Sequence, residues 1–175
     1  KRRGETFVTR KITRGLANIS QGLEKCLYMG NINALRDWGH AKDYVEAMWL
    51  MLQQDKPEDF VISTGTTTSV RDFIKLAFQE VGVTLEFKGE GVNEVAIVAS
   101  SSNPEFAFKK DQVVIKIDPN YFRPTEVELL IGDNTKAKTK LGWKPKYSLD
   151  MLVKEMMEAD LAIFEKEIHL KNYKK

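Results

Sequence analysis

The sequence contains few of the residues that define specialised classes of protein. A single cysteine, Cys26, excludes an internal disulfide and favours a reducing compartment, so we expect a cytoplasmic protein. With only 11 glycines and 5 prolines, the chain is not collagen-like or of low complexity. No apolar run approaches the ~18 residues that a membrane-spanning helix needs, so we expect no membrane partner.

An excess of charge of one sign is also missing. The 27 basic and 25 acidic side chains leave a net charge of +2, which creates no global field for nucleic acid. We therefore expect no nucleic-acid partner. Nine Phe, five Tyr and three Trp supply a core and argue against disorder. The 175 residues suggest one domain, at about 150 residues per domain.

Recognisable catalytic motifs are absent as well. The Gly-x-Gly at residues 89–91 does not open a predicted helix, so we reject it as a phosphate-binding loop. Two histidines and one cysteine, widely spaced, match no zinc-site spacing. No nucleophile elbow is present. The residues by themselves predict neither a catalytic centre nor a metal site.

The periodicity of the sequence predicts a mixed α/β fold with short strands, an accessory domain and not a complete doubly wound sheet. Helices are predicted over residues 6–21, 40–54, 70–81, 135–141 and 149–167. Strands are predicted over residues 26–29, 59–63, 84–88, 93–99 and 113–117. We expect Thr6 to cap the first helix and the continuous apolar strand 59–63 to be buried.

Two helical faces have a clear polarity in the sequence. The first helix groups its apolar residues on one side and carries Arg10, Lys11 and Arg14 on the other. The second helix groups Val45, Met48, Trp49 and Leu52 on one apolar face.

Basic side chains surround the start of the first helix, within residues 2–11. Backbone N–H groups at a helix N-terminus attract anions, and these side chains add positive charge there. The alternatives are a solvated basic face or, with less support from the near-neutral chain, non-specific nucleic-acid binding.

Two further segments combine arginine with residues suited to a phosphorylated ligand. In residues 35–44, Arg36 is suited to bidentate phosphate contact and Asp37 could orient it; alternatively Asp37 caps the next helix. In residues 121–128, Arg123 could hold a phosphate and Glu126 could accept hydrogen bonds from sugar hydroxyls; alternatively the segment is a surface turn.

In this order, the three segments resemble the C-terminal half of the GDP-mannose 4,6-dehydratases, a family of extended short-chain dehydrogenase/reductases. Arg-Gly-Glu-Thr-Phe-Val-Thr-Arg-Lys at 3–11 and Leu-Arg-Asp-Trp-Gly-His at 35–40 are close to specific for that family. Arg-Pro-Thr-Glu-Val-Glu at 123–128 and Lys-Leu-Gly-Trp-Lys-Pro at 140–145 are shared with other nucleotide-sugar epimerases and dehydratases. The resemblance covers essentially the whole chain.

The resemblance implies an α/β fold: the C-terminal substrate-binding part of an NAD(P)-binding Rossmann-type enzyme, with the Rossmann core largely missing. Residues 1–175 would form the nucleotide-sugar-binding domain. The absent N-terminal Rossmann domain would hold the catalytic residues and most of the NADP site, to which Arg3 would add a contact. The chain would be a fragment of a homodimeric or homotetrameric lyase. It departs from the family at Lys1, where a proline is usual.

The resemblance also implies which residues bind GDP-mannose. Val8 and Lys11 would line the nucleotide end of the site. Arg36 and Arg123 would hold the diphosphate, and Glu126 would bind the ribose hydroxyls. Two guanidinium groups suit a diphosphate and a carboxylate suits a vicinal diol, so the residue types agree with these roles.

The family converts GDP-mannose to GDP-4-dehydro-6-deoxy-mannose and water, a net lyase reaction in which the NADP is recycled. Two alternatives stay open: a non-catalytic nucleotide-sugar-binding module, and an epimerase or dehydratase of another nucleotide sugar. We also expect the isolated chain to be marginally stable, because the missing domain would leave apolar surface uncovered. Phe7, Trp38 and Tyr44 are the candidates for that surface.

Overall fold

A computed structural model of the protein describes residues 4–121 and 127–173, with side chains as far as residue 166. In this part of the chain, five α-helices alternate irregularly with short strands. The helices are α1 Val8–Ser20, α2 Ala41–Leu52, α3 Val70–Glu80, α4 Thr135–Leu141 and α5 Leu149–Tyr173. The strands are β1 Leu27–Met29, β2 Leu35–Arg36, β3 Thr68–Ser69, β4 Val83–Lys88, β5 Val95–Ser101, β6 Val113–Ile117 and β7 Leu129–Leu130.

The chain folds as two compact units, each assembled from separate stretches of sequence. The first unit comprises Lys1–Ile32, Arg71–Glu126 and Val153–Lys175. The second unit comprises Asn33–Val70 and Val127–Leu152. None of the helices in the described residues is long and apolar enough to cross a membrane.

The first unit is built on a four-stranded sheet in the order β1-β6-β5-β4. The strands β1 and β6 are parallel, with Leu27 beside Ile115 and Met29 beside Ile117. The strands β6, β5 and β4 follow as antiparallel neighbours. Since β1 and β6 run in the same direction, the residues that follow them emerge at one edge of the sheet.

The helix α1 buries the apolar face that its periodicity predicts: Ile12 and Leu16 are fully buried and Ile19 nearly so. The helix begins after Phe7, which is its N-cap residue and makes no side-chain capping bond. The expected cap at Thr6 is therefore wrong, because the chain enters the helix one residue later. In α3, the side chains of Phe73, Ile74, Ala77 and Phe78 are fully buried.

The second unit has a three-stranded sheet in the order β3-β2-β7, with β2 antiparallel to β3 and parallel to β7. Its core cluster comprises Ala47 of α2, Ala137 and Leu141 of α4, and Trp143. Gly142 ends α4 with a φ of 65°, a left-handed conformation that glycine adopts without strain. The predicted end of this helix is confirmed.

The strand expected over residues 59–63 is wrong. The structure places these residues in an extended segment that joins no sheet ladder among the described residues. Phe60 and Ile62 pack against the core cluster, whereas the intervening Val61 is 53% exposed. The run is apolar throughout, but only alternate side chains face the core of this unit.

The apolar face predicted for α2 is present, but it lies at the surface of the second unit. On one side of the helix, Ala47 belongs to the core cluster, and Leu50 and Met51 pack against it. The other side, which we call the outer stripe of α2, consists of Val45 (63% exposed), Met48 (58%), Trp49 (59%) and Leu52 (82%). The helix is thus apolar on both sides, a pattern typical of helices buried within a larger protein.

Candidate functional site

Lys11 lies in the first turns of α1, three residues after Val8, the half-buried residue that begins the helix. Its ammonium lies 3.6 Å from the centroid of the Tyr121 ring, a cation–π contact. Burial lowers the pKa of this ammonium, and attraction to the Asp118 carboxylate opposes that shift. Lys11 is therefore a partly desolvated cation, which strengthens its attraction to an anion that approaches it.

Tyr121 ends the short turn that follows β6, and Gly30 directly follows the parallel neighbour β1. A Cβ atom on Gly30 would lie 2.4 Å from the Tyr121 carbonyl oxygen, so only glycine fits there without movement of the turn. Gly30 and Tyr121 thus meet at the carboxyl ends of two parallel strands, the edge at which α/β sheets commonly bind ligands.

Arg10 does not belong to the exposed basic face predicted for α1. It is 5% exposed, and its Nε and Nη2 atoms bond the fully buried Asp160 of α5 at 2.9 and 2.8 Å. The Thr13 hydroxyl donates to the same carboxylate at 2.6 Å. The sequence shows only the polarity of Arg10, whereas its burial depends on a carboxylate 150 residues away.

Arg36 ends β2 in the second unit and is half-buried. Its Nη1 donates to the carbonyl oxygens of Leu35 at 2.8 Å and Val127 at 2.6 Å. These bonds fix one nitrogen of the guanidinium group against the backbone.

The Asp37 carboxylate binds a loop of the second unit. It accepts hydrogen bonds from the backbone N–H groups of Thr64 and Gly65 and from the Thr64 hydroxyl, at 2.6 to 3.0 Å. The alternative in which Asp37 caps α2 is wrong, because His40 is the N-cap and its Nδ1 accepts from the Lys42 N–H.

Three of the predicted site residues, Arg3, Arg123 and Glu126, lie outside the described residues. Of the other three, the first unit contains Val8 and Lys11 and the second contains Arg36. The interpretation of Arg3, Arg123 and Glu126 therefore stays a prediction from the sequence.

Sequence reasoning missed the role of Asp43, which is 1% exposed. Its carboxylate accepts from the backbone N–H groups of Lys146 and Tyr147, and its carbonyl oxygen accepts from the indole N–H of Trp143 at 2.9 Å. The Trp143 motif is therefore structural in this unit. The available signal was an aspartate in the first turn of this helix.

The described residues contain no cluster of His, Cys, Asp or Glu able to hold a metal ion. The glycines at 89 and 91 lie in the turn between the antiparallel strands β4 and β5, where Gly91–Asn93 form a single 3-10 turn. This geometry confirms that the Gly-x-Gly is not a dinucleotide-binding loop, which needs a longer helix after a parallel strand.

Solved structures with the same fold define the class of protein. The chain matches RMD from Pseudomonas aeruginosa complexed with NADPH with a TM-score of 0.68 and 18% identity, covering 91% of this chain and 44% of that one. It matches UDP-glucose 4-epimerase with UDP-glucose from Thermotoga maritima with a TM-score of 0.61 and 27% identity, covering 94% and 41%. The fold is that of part of an extended short-chain dehydrogenase/reductase.

Sequence comparison narrows this class. The family described as GDP-mannose 4,6 dehydratase matches residues 1–156, and the chain belongs to that family. The chain is 60% identical over 171 residues to a GDP-mannose 4,6-dehydratase of Vibrio cholerae, covering 97% of this chain and 46% of that protein. It thus spans less than half the length of the curated relatives it matches. The resemblance found in the sequence is confirmed.

Proposed function

We propose that the chain supplies the GDP-mannose-binding part of a GDP-mannose 4,6-dehydratase, which forms GDP-4-dehydro-6-deoxy-mannose and water. The observation that carries this proposal is the match of that family over residues 1–156, together with 60% identity to a curated member. The motifs at 3–11 and 35–40, which distinguish these dehydratases from related epimerases in the sequence, lie within the matched residues.

In this proposal each site residue has a role that suits its chemistry. Val8 and Lys11 contact the nucleotide end of GDP-mannose, where a partly desolvated ammonium interacts well with negative charge. Arg36 and Arg123 bind the diphosphate, since a guanidinium group can donate two parallel hydrogen bonds to phosphate oxygens. Glu126 accepts hydrogen bonds from the ribose hydroxyls.

We propose that a Rossmann domain in the remaining half of the complete enzyme holds NADP and the catalytic residues. NADP supplies hydride transfer when bound. The described residues provide no phosphate-binding loop for NADP. Arg3, which we propose as an NADP contact, lies outside the described residues. The role of this chain is therefore to bind and orient the sugar nucleotide.

The outer stripe of α2 supports the proposal of a further domain. Four large apolar side chains on one side of a helix form an exposed patch that a folded protein normally covers. Among the residues that we expect to be uncovered without the missing domain, Phe7 of the first unit is 51% exposed. Trp38 and Tyr44 of the second unit are half-buried. We propose that the part of the enzyme beyond this chain packs on the outer stripe.

We place the complete enzyme in the cytoplasm as a homodimer or homotetramer. Cys26 is the only cysteine of the chain, and a single thiol suits a reducing compartment. Burial raises the pKa of this thiol, which disfavours its reactive thiolate form.

Calorimetric titration of the full-length protein with GDP-mannose tests the proposal. Arg36→Ala should weaken binding at least about tenfold, because charged hydrogen bonds to phosphate are lost. Lys75→Ala, which removes one positive charge from the exposed side of α3, is the matched control and should bind like the wild type. Circular dichroism must show that both variants are folded. Equal affinity of Arg36→Ala and the wild type would remove Arg36 from the site.

A further inference from the structure

The contact between Lys11 and Tyr121 joins two segments that are far apart in the sequence, the start of α1 and residues 121–128. Lys11 belongs to α1, and Tyr121 directly precedes residues 122–126, which contain Arg123 and Glu126. The ammonium lies 3.6 Å from the ring centroid, well inside the roughly 6 Å range of a cation–π contact. Tyr121 is thus the described residue at which these two segments meet.

The backbone of Tyr121, which carries the ring, is fixed from two sides. The Tyr121 N–H donates to the Asp118 carbonyl oxygen at 3.0 Å, and the Asp118 N–H donates to the Met29 carbonyl oxygen at 2.8 Å. The turn is therefore tied to the end of β1. Gly30 allows the close approach, since a Cβ atom there would overlap the Tyr121 carbonyl oxygen.

The flexible Lys11 side chain must be ordered before its ammonium can hold an anion in one place. A lysine side chain has four rotatable bonds and loses up to about 2 kcal/mol of entropy when it is fixed. The contact with the ring confines the ammonium before a ligand arrives, and the nearby Asp118 carboxylate attracts it to the same place. Such preorganisation improves binding because less ordering is left to be done on association.

We infer that Tyr121 is a positioning residue of the GDP-mannose site: its ring holds the Lys11 ammonium at the carboxyl edge of β1 and β6. Gly30 fixes the turn that carries the ring. This inference rests on the proposed function for the identity of the ligand, but the contact itself is a property of the free protein. The aromatic face, and not the phenol hydroxyl, is the active feature.

Nuclear magnetic resonance tests the contact without any ligand. Lysine labelled with ¹³C at Cε is introduced into the full-length protein, and Lys11→Arg identifies the Lys11 signal. A methylene group over an aromatic face is shifted upfield by the ring. Tyr121→Leu should abolish that shift, whereas Tyr121→Phe should preserve it.

Calorimetry with GDP-mannose tests the consequence for binding. Tyr121→Leu should weaken affinity about fivefold and Tyr121→Phe should retain it. In a Lys11→Met background, Tyr121→Leu should have almost no additional effect, because the side chain that it positions is gone. Tyr28→Leu, at a comparably exposed tyrosine on β1, controls for loss of aromatic surface.

The outcomes separate this inference from the proposed function. Two results would overturn the positioning role and leave the proposed function intact. The first is an affinity for GDP-mannose that Tyr121→Leu does not change. The second is a loss of affinity on Tyr121→Leu that is as large in the Lys11→Met background as in the wild type. A wild-type protein that does not bind GDP-mannose contradicts the proposed function. In that case the ring-current shift of the Lys11 signal tests only the contact between Lys11 and Tyr121. Absence of the shift in the wild type would overturn the contact.

Discussion

Arg10 and Asp160 form a buried ion pair that ties α1 to α5 within the first unit. Both guanidinium-to-carboxylate distances are near 3 Å, and Thr13 adds a hydroxyl bond to the same carboxylate. Two charges removed from water interact favourably only when their hydrogen bonds are satisfied, and here several are. The pair holds the helix that carries Lys11.

Asp160→Asn should therefore destabilise the protein strongly. The substitution leaves the Arg10 charge buried without its counter-charge, which typically costs about 3–5 kcal/mol. Urea unfolding followed by circular dichroism measures the loss. Glu5→Gln is the control, since Glu5 pairs with Arg14 at the surface, where ion pairs are worth about 0–1 kcal/mol. Equal, small losses for both variants would contradict the structural role of Asp160.

Glu58 gives the second unit a pH-dependent element of stability. Hydrogen bonds from Lys140 and then from Lys136 lower the pKa of its carboxyl group below 4.5. Because the folded-state pKa lies below the unfolded one, this stabilisation is present above pH 4.5 and is lost as the pH falls through the folded-state value.

Thermal unfolding of Glu58→Gln against the wild type measures this effect. The wild type should have the higher Tm at pH 7, and the difference should shrink as the pH is lowered below 4.5. Glu90→Gln, at an exposed glutamate before the 3-10 turn, provides a control for the loss of one negative charge. A Tm difference that stays constant down to pH 3 would rule out the ion pairs as its source.

At the scale of elements, α2 shows what periodicity can and cannot predict. The sequence identifies the helix and its apolar face. It does not show which side of the helix packs against the core of the second unit. Ala47 packs on α4 because it is small enough for close helix approach, while the larger Trp49 and Leu52 stay exposed. The exposed side has the composition of an interface core, rich in Trp and Met.

Substitution of the outer stripe should improve the isolated 175-residue chain. Trp49→Glu combined with Val45→Lys should reduce binding of a hydrophobic dye and self-association, and change the stability by no more than about 0.5 kcal/mol per site. Fluorescence and light scattering measure the first two properties, and urea unfolding the third. Ala47→Glu, on the buried side of the same helix, should instead unfold the second unit.

In the full-length protein the same double substitution should be harmful, because it places charges in the proposed interface between domains. Lower Tm and lower solubility are the expected results. An outer stripe that tolerates both charges in the full-length protein as well as in the isolated chain would show that nothing packs on it.

The apolar run at residues 59–63 forms no strand because it has no neighbouring strand to pair with among the described residues. A short apolar run predicts a buried strand, but a strand also needs a neighbouring strand with free backbone groups. Ser63 bonds the Gly132 carbonyl oxygen through its hydroxyl, a contact that no local pattern reveals. The start of α3 and both ends of α4 follow from local signals. The pairing of β1 with β6, in contrast, joins residues far apart in sequence.

For the whole molecule, the fold class and the family could both be obtained from the sequence. The motifs at 3–11 and 35–40 identify the family, and the family model matches the chain. The comparison with solved structures agrees with the predicted fold class. The division into two units could not be predicted, because each unit is assembled from stretches that are separated in the chain. The positions of Gly30 and Tyr121 likewise depend on strand pairing across the sheet.

In the function we propose, this chain selects a guanosine diphosphate sugar. Displacement of bound GDP-mannose from the full-length protein by GDP, UDP and dTDP measures that selectivity directly. GDP should compete at least about tenfold more strongly than either pyrimidine nucleotide, which corresponds to about 1.4 kcal/mol of discrimination. Competition by UDP or dTDP that equals or exceeds that of GDP would contradict the claim and place the chain with enzymes of another nucleotide sugar.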